Sequence, residues 1–360
     1  MRKIILILTM AAFICLTAMP AWAREPAAPE LSLNDAVTRA LNFSKTVKKA
    51  ADQVDLTEIE REQKEKDLGY ITGAATGEPA GESAYAGLLS ANLAWRMAGR
   101  GLTTAQDTLT LSVCNKYWAV QVARGNLEAA ELSLRQANMD LNKARACHAV
   151  GLIAAGDLLA AETNQASAKF AGEKAQNDLS AAYTAFNQAV GLWAEDRPVL
   201  TDEPSFTPIG DVNLEALVAR VLDGSPAVWQ ADQRVEMQKV LQDLMFYTGS
   251  YQPYDARLIE MNQTELDALS AREATEILTR NMYYAVRSLE VSYPAAAQAV
   301  RLAEENLRVA RIKYQVGMAT QADTAALETA LARAGQSLLE LKKNHAYYSL
   351  ALEKPWAAGS

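Results

Sequence analysis

Residue types that could do chemistry are few in this chain and widely spaced. There are two histidines, His148 and His345, and three cysteines, Cys15, Cys114 and Cys147, in 360 residues. Two histidines so far apart are expected to be packed side chains, and no spacing of Cys and His that holds zinc occurs. Nothing forms a nucleophile–base pair or a glycine-rich phosphate loop, so no catalysis, metal or cofactor is expected. What remains are carboxylates that occur twice: Asp157 with Asp323, and Glu162 with Glu328. Each Asp follows a glycine by six residues, where it can accept the orphan backbone N–H groups of a starting helix. Each Glu lies five residues further on, as a helix-stabilising first-turn acid or as an exposed contact.

Those acids sit in a repeated phrase. "VGLIAAGD" spans Val150–Asp157 and "VGMATQAD" spans Val316–Asp323, 166 residues later. Setting Ala137–Ala168 against Ala303–Ala334 gives twelve identities in 32 positions, among them Arg145, Gly151, Asp157 and Glu162. A second block repeats at an offset of 181: Leu31–Val54 matches Val212–Val235 at eight of 24 positions, Ser44 included. Two blocks in the same order indicate a tandem duplication. The offsets differ by 15, so the stretch between the blocks is 15 residues shorter in the second half.

The duplicated stretches are helical. Leu127, Ala130, Leu134, Ala137, Leu141, Ala144 and His148 alternate spacings of three and four, and Leu158 to Trp193 continues the pattern after the turn. Leu278 to Tyr314 and Leu327 to Leu352 repeat it, with many alanines that allow close approach of helix axes. Pro294 lies inside the third rod and is expected to bend or break it. Gly151 and Gly317 suit the left-handed residue just past a helix end. Asp157, and Thr320 or Asp323, suit the opening of the next helix. Each half therefore ends in a long antiparallel hairpin, and Tyr117, Trp118, Tyr283 and Tyr284 are expected to pack between helices.

Around this core the boundaries are 1–23, a signal peptide ending at Ala21-Trp22-Ala23; 24–193, the first repeat with its tip at 150–157; 194–211, a proline-bearing linker; 212–354, the second repeat with its tip at 316–323; and a short tail, 355–360. The chain is expected to be exported. Cys114 and Cys147 stand 33 residues apart on one helix, roughly 50 Å, so they cannot pair and are expected to be buried apolar side chains. The net charge of −8, with both signs spread along the helices, argues against nucleic acid. No stretch after the leader is apolar for about 18 residues.

A leader, a tandem duplication, heptad-patterned hairpins and these turn phrases together resemble the TolC-like outer membrane efflux proteins over nearly the whole chain. The resemblance implies a mainly α fold of long antiparallel coiled-coil hairpins. It also implies a homotrimer whose helices form a hollow periplasmic barrel, in or near the outer membrane, with a periplasmic adaptor and an inner-membrane pump as partners. The tips would then be the gate, formed by Tyr314, Gly317, Thr320, Asp323, Gly151 and Asp157, with Asp323 in an anionic ring. Leu152, Glu162, Met318 and Glu328 would be adaptor contacts. Two positions depart from the family pattern: Ala319 replaces an arginine and Ala326 a second acid, so the gating network is incomplete.

The membrane barrel departs further. Gly87–Met97 alternates like a spanning strand, which makes 68–100 the place for a residual β segment, but Tyr70–Thr76 is a poor partner and Phe246–Leu258 offers no strand pair. Little or no β-barrel is expected. Three readings follow: a passive trimeric export duct, a barrel-less structural coiled-coil protein of the envelope, and, least supported, an export adaptor.

Overall fold

The computed structural model describes residues 27–69, 79–244 and 254–358. The expected signal peptide and Tyr70–Thr76 lie outside them. Among the described residues there are eight helices: α1 (Leu33–Phe43), α2 (Lys45–Gly69), α3 (Pro79–Ala149), α4 (Ala155–Val190), α5 (Leu214–Gly224), α6 (Pro226–Asp243), α7 (Tyr254–Gln315) and α8 (Gln321–Glu353). A 3-10 turn, Pro355–Ala357, follows. Strands β1 (Glu30–Leu31) and β2 (Val199–Leu200) pair in parallel and tie the N-terminal segment to the linker.

The duplication is visible in this order, with α1–α4 answering α5–α8. Both short helices have 11 residues, and each hands over to the next through one serine. Ser44 and Ser225 end one helix and begin the next, their hydroxyls accepting from Val47 N–H and Val228 N–H. The shortfall of 15 is spread along the rods. Helix α6 has 18 residues against 25 in α2, α7 has 62 against 71 in α3, and the joining segment is one residue longer.

Two helices, α3 and α7, run the full height. At 1.5 Å per residue the 71 residues of α3 cover roughly 105 Å. On the tip side they form the row α4–α3–α8–α7, and on the other side the row α2–α3–α6–α7. Where the rows meet, two apolar clusters form. One gathers Leu31, Ala36, Ala40, Val113, Tyr117 and Phe186; the other gathers Leu111, Leu217, Val221, Met282, Val286 and Leu352. The seams from Leu158 to Ala189 and through Ala303, Leu307 and Ala310 turn inward as the heptads require.

Two expectations need correction. Gly87–Met97 is helical, inside α3, and no residual β segment lies within 79–100. Its polar residues Asn92 and Arg96 are four apart and both exposed, which is helical spacing. Helix α7 continues through Pro294 without a break. The linker segment, 194–211, is tied down along its length. It crosses the waist in extended form, with Val199 and Thr201 N–H donating to Pro29 and Leu31 carbonyls and Asp202 N–H donating to Tyr117 Oη.

Candidate functional site

Both hairpins close through the same turn. Past α3, Gly151 N–H donates to the His148 carbonyl and Leu152 N–H to that of Cys147. Past α7, Gly317 N–H donates to Tyr314 and Met318 N–H to Lys313. These are paired Schellman bonds, which need a left-handed residue, and both glycines have φ of 75°. The turns leave Val150, Leu152, Val316 and Met318 largely exposed, with Tyr314 half exposed beside them. The helices that follow begin differently. Thr320 Oγ1 accepts from Asp323 N–H at 3.2 Å, and Asp323 Oδ2 accepts from Thr320 N–H at 2.8 Å, a complete reciprocal cap. In the first hairpin Ala154 has no oxygen to offer, and only Asp157 reaches back, to Ala154 N–H at 3.2 Å.

Asp323 is therefore a helix-capping carboxylate. Thr320 N–H, then the Thr320 hydroxyl, hold it below the usual aspartate range; slight desolvation opposes them and the charge of Lys143 on α3 adds to them. Both tips lie at the same end of the molecule, because α8 runs antiparallel to α3 with Arg333 beside Ser133. Arg333 Nη2 donating to Ser133 Oγ at 3.0 Å, and Gln336 Nε2 donating to the Val122 carbonyl at 3.0 Å, fix the same register of α3 against α8.

Glu162 and Glu328 lie in the third turns of their helices, so neither is a first-turn acid. Arg145–Glu162 pair at 3.5 Å across the first hairpin and Arg311–Glu328 at 3.1 Å across the second. The arginines were not singled out, although both recur at the 166 offset, each 17 residues before its glutamate. His148, placed in the seam by periodicity, is exposed, and Cys147 takes the inward position. Cys114 is buried, which pushes its thiol up to about 11.

Residues 92–192, which hold most of α3 and all of α4, match the family model for outer membrane efflux proteins. No curated protein matches the sequence. The fold is that of TolC-like channels. It superimposes on the outer membrane protein VceC of Vibrio cholerae with a TM-score of 0.61 at 18% identity, covering 91% of this chain and 96% of that one. For the Campylobacter jejuni CmeC outer membrane channel the TM-score is 0.63 at 12% identity, covering 94% and 90%. For the open state of the Neisseria gonorrhoeae MtrE channel it is 0.62 at 14%, covering 90% and 88%. Family and neighbours are channel proteins rather than enzymes, and in general terms they support an outer membrane efflux channel.

At the waist, the second repeat holds a polar cluster that sequence reading left out. Glu290 accepts from Ile209 N–H at 2.6 Å and from Arg287 Nη1 at 2.8 Å. Burial alone would raise its carboxyl, but those donors, with His345 close by, hold it below the usual glutamate range. His345 is buried, its Nε2 3.6 Å from Glu290 and beyond hydrogen-bond length. Phe206 of the linker packs against its ring at 4.4 Å and stacks on Tyr293 at 3.7 Å. No local sequence signal joins positions 206, 209, 290 and 345; only the linker's path does.

Proposed function

We propose that this protein is the duct component of an efflux or secretion system. Three copies close into a hollow helical ring that passively conducts small molecules or proteins and docks through its tips to a periplasmic adaptor and inner-membrane pump. The observation that carries this reading is a pair of uncovered apolar edges. On α7 and its tip, Ile259, Leu266, Ile277, Tyr284, Val291, Leu302, Val309 and Val316 are all exposed. Their spacings are 7 or 11 residues, and each step returns to within about 20° of the same helix face. The stripe is thus a single coiled-coil seam without a partner, running along the last helix of both rows.

The opposite edge carries its counterpart. Leu152, Leu159 and Phe170 follow the same 7 and 11 spacing along the α4 edge, and Leu56 and Ile59 lie exposed on α2. Two different edges on opposite sides make a head-to-tail contact, the kind that closes into a ring. At the tip end of that ring, three pairs of exposed apolar turns would face a partner. Asp323 would stand near the axis while capping its helix. Ala319 and Ala326 leave that acid without the family's further polar partners, which favours a loosely closed gate.

Light scattering on the purified chain tests the ring. A mass three times that of one chain is expected, and Val291→Glu with Leu302→Glu should reduce it to that of one chain. A wild-type monomer at all concentrations, with and without detergent, would sink the reading.

A second reading, a barrel-less coiled-coil protein of the envelope, is favoured by one feature. Only nine residues join Gly69 to Pro79 and ten join Asp243 to Tyr254, whereas a pair of membrane-spanning strands needs about 18–22. Among the described residues no helix is long and apolar enough to cross a membrane either. Single-channel conductance in planar bilayers separates the two readings. A water-soluble trimer without conductance selects the scaffold.

A further inference from the structure

On the side of the waist away from the tips, a cleft of about 460 Å³ opens between α2, α3, the start of α6 and the 3-10 turn after α8. Its walls hold three of the six tryptophans of the chain, Trp95, Trp229 and Trp356, together with Arg96, Arg100 and Thr103. Clefts of about 300–1,000 Å³ are the size that takes small molecules.

The cations are arranged in an unusual way. The guanidinium of Arg100 sits over the Trp229 ring, 4.7 Å from its centre, and that of Arg96 at 5.1 Å. Arg96 also donates to Gln233 Oε1 at 2.8 Å. Arg100 is half-buried and, among the described residues, its side chain has neither an ion pair nor a hydrogen bond. A guanidinium held against an aromatic face keeps its N–H groups free to donate. None of the described residues lining the cleft is acidic. The carboxylate nearby, Asp107, is already engaged by Lys354 Nζ at 2.6 Å and by Trp356 Nε1 at 3.3 Å, so it does not neutralise Arg100. The space is open at its floor, since a side chain at Gly99 would meet nothing within 4 Å.

An uncompensated, half-buried cation between indole walls selects for two properties at once: a negative head and a flat apolar body. We propose that this cleft is a binding site for a small organic anion of that class, an aromatic carboxylate or sulfonate. The head receives charge-assisted hydrogen bonds from Arg100, with Arg96 and Thr103 beside it. The body lies against Trp356 and Trp95. Lysine would not serve equally, because its ammonium presents no planar fork to the ring or the anion. This site is independent of the duct reading, as its residues come from neither the tips nor the outer edges.

Isothermal titration of the purified full chain with naphthalene-2-sulfonate, beside neutral 2-naphthylmethanol, tests it. Saturable binding of the sulfonate is expected, about tenfold or more tighter than the neutral compound. Arg100→Gln should weaken the sulfonate by about ten- to a hundredfold and leave the alcohol unchanged. Arg124→Gln, an exposed arginine elsewhere on α3, should change neither. Gly99→Leu places a side chain in the open floor of a helical site and should abolish binding of both ligands while keeping the thermal midpoint. Equal affinity for the charged and neutral compounds, sulfonate binding that survives both Arg100→Gln and Gly99→Leu, or no saturable binding at all would overturn the proposal.

Discussion

The two hairpin tips are built on one plan and finished differently. Both turn on a left-handed glycine with identical Schellman bonds, and both are braced by an arginine–glutamate pair set back from the turn. Beyond that they diverge. The second begins its return helix with a full reciprocal cap between Thr320 and Asp323, whereas the first makes do with Asp157 alone. The second also has Tyr314 just before its turn, where the first has His148. Duplication thus preserved the backbone device and let the side chains that finish it drift apart. A left-handed turn strains any residue that carries a Cβ, while a cap can lose half its bonds at modest cost.

The sharpest way to break the comparison is to leave the tips altogether. Phe186→Ala removes a fully buried ring from the waist and should cost about 3–5 kcal/mol in chemical denaturation. No single tip substitution should approach that. If one does, the tips are not the peripheral, separately built ends described above.

Next comes the glycine pair. A side chain at Gly151 or Gly317 clashes with nothing, so the cost of Gly→Ala is backbone strain alone, about 1–2 kcal/mol. The two variants should be equally destabilised, and a difference beyond error would show that the turns are not equivalent in solution. Caps should differ between tips. Thr320→Ala should lose about 1 kcal/mol, and Ala154→Thr should gain up to a similar amount by completing the first cap. Hydrogen exchange at the start of each return helix reads both effects. The cap also sets a pH dependence. A carboxyl held below its unfolded value stabilises the fold above that value, and the contribution fades as pH falls through the folded one. Asp323 should therefore protect its helix end at neutral pH and lose that effect below the ordinary aspartate range, with Asp323→Asn flattening the profile.

The smallest effects belong to the braces. Double-mutant cycles on Arg145–Glu162 and Arg311–Glu328 should each give about 0.2–1 kcal/mol, diminishing with salt, because three of the four side chains are exposed and Glu328 is only partly buried. A coupling near zero in one hairpin only would mark the tip that a partner, rather than the chain itself, holds closed.

What the sequence disclosed followed from how local each signal is. The turn glycines, the acids after them and the heptad seams act within a few residues, so the hairpins and their common turn were legible. Gly87–Met97 misled because Leu89, Ala91, Leu93, Trp95 and Met97 alternate with Ser90, Asn92, Ala94 and Arg96 over 11 residues, too brief a window to separate period 2 from 3.6. The alanines among them favour helix, and Asn92 with Arg96 kept helical spacing. His148 went astray by one position, since heptad registers drift near a helix end. The braces were written in the repeat, but only the acids were read. The waist cluster and the tryptophan cleft could not be foreseen, because they unite residues from Val54 to Trp356 that no periodicity connects.

The unbroken length of α3 has a mechanical consequence. Its densest anchorage, between Leu111 and Val120, lies close to the middle of its 71 residues, with lever arms of roughly 50 Å on either side. A stiff beam held at its midpoint exchanges displacement one for one. A few ångströms of outward swing at the Gly151 bend must therefore reappear as an inward swing of similar size near Ala86, or be absorbed as curvature along the shaft.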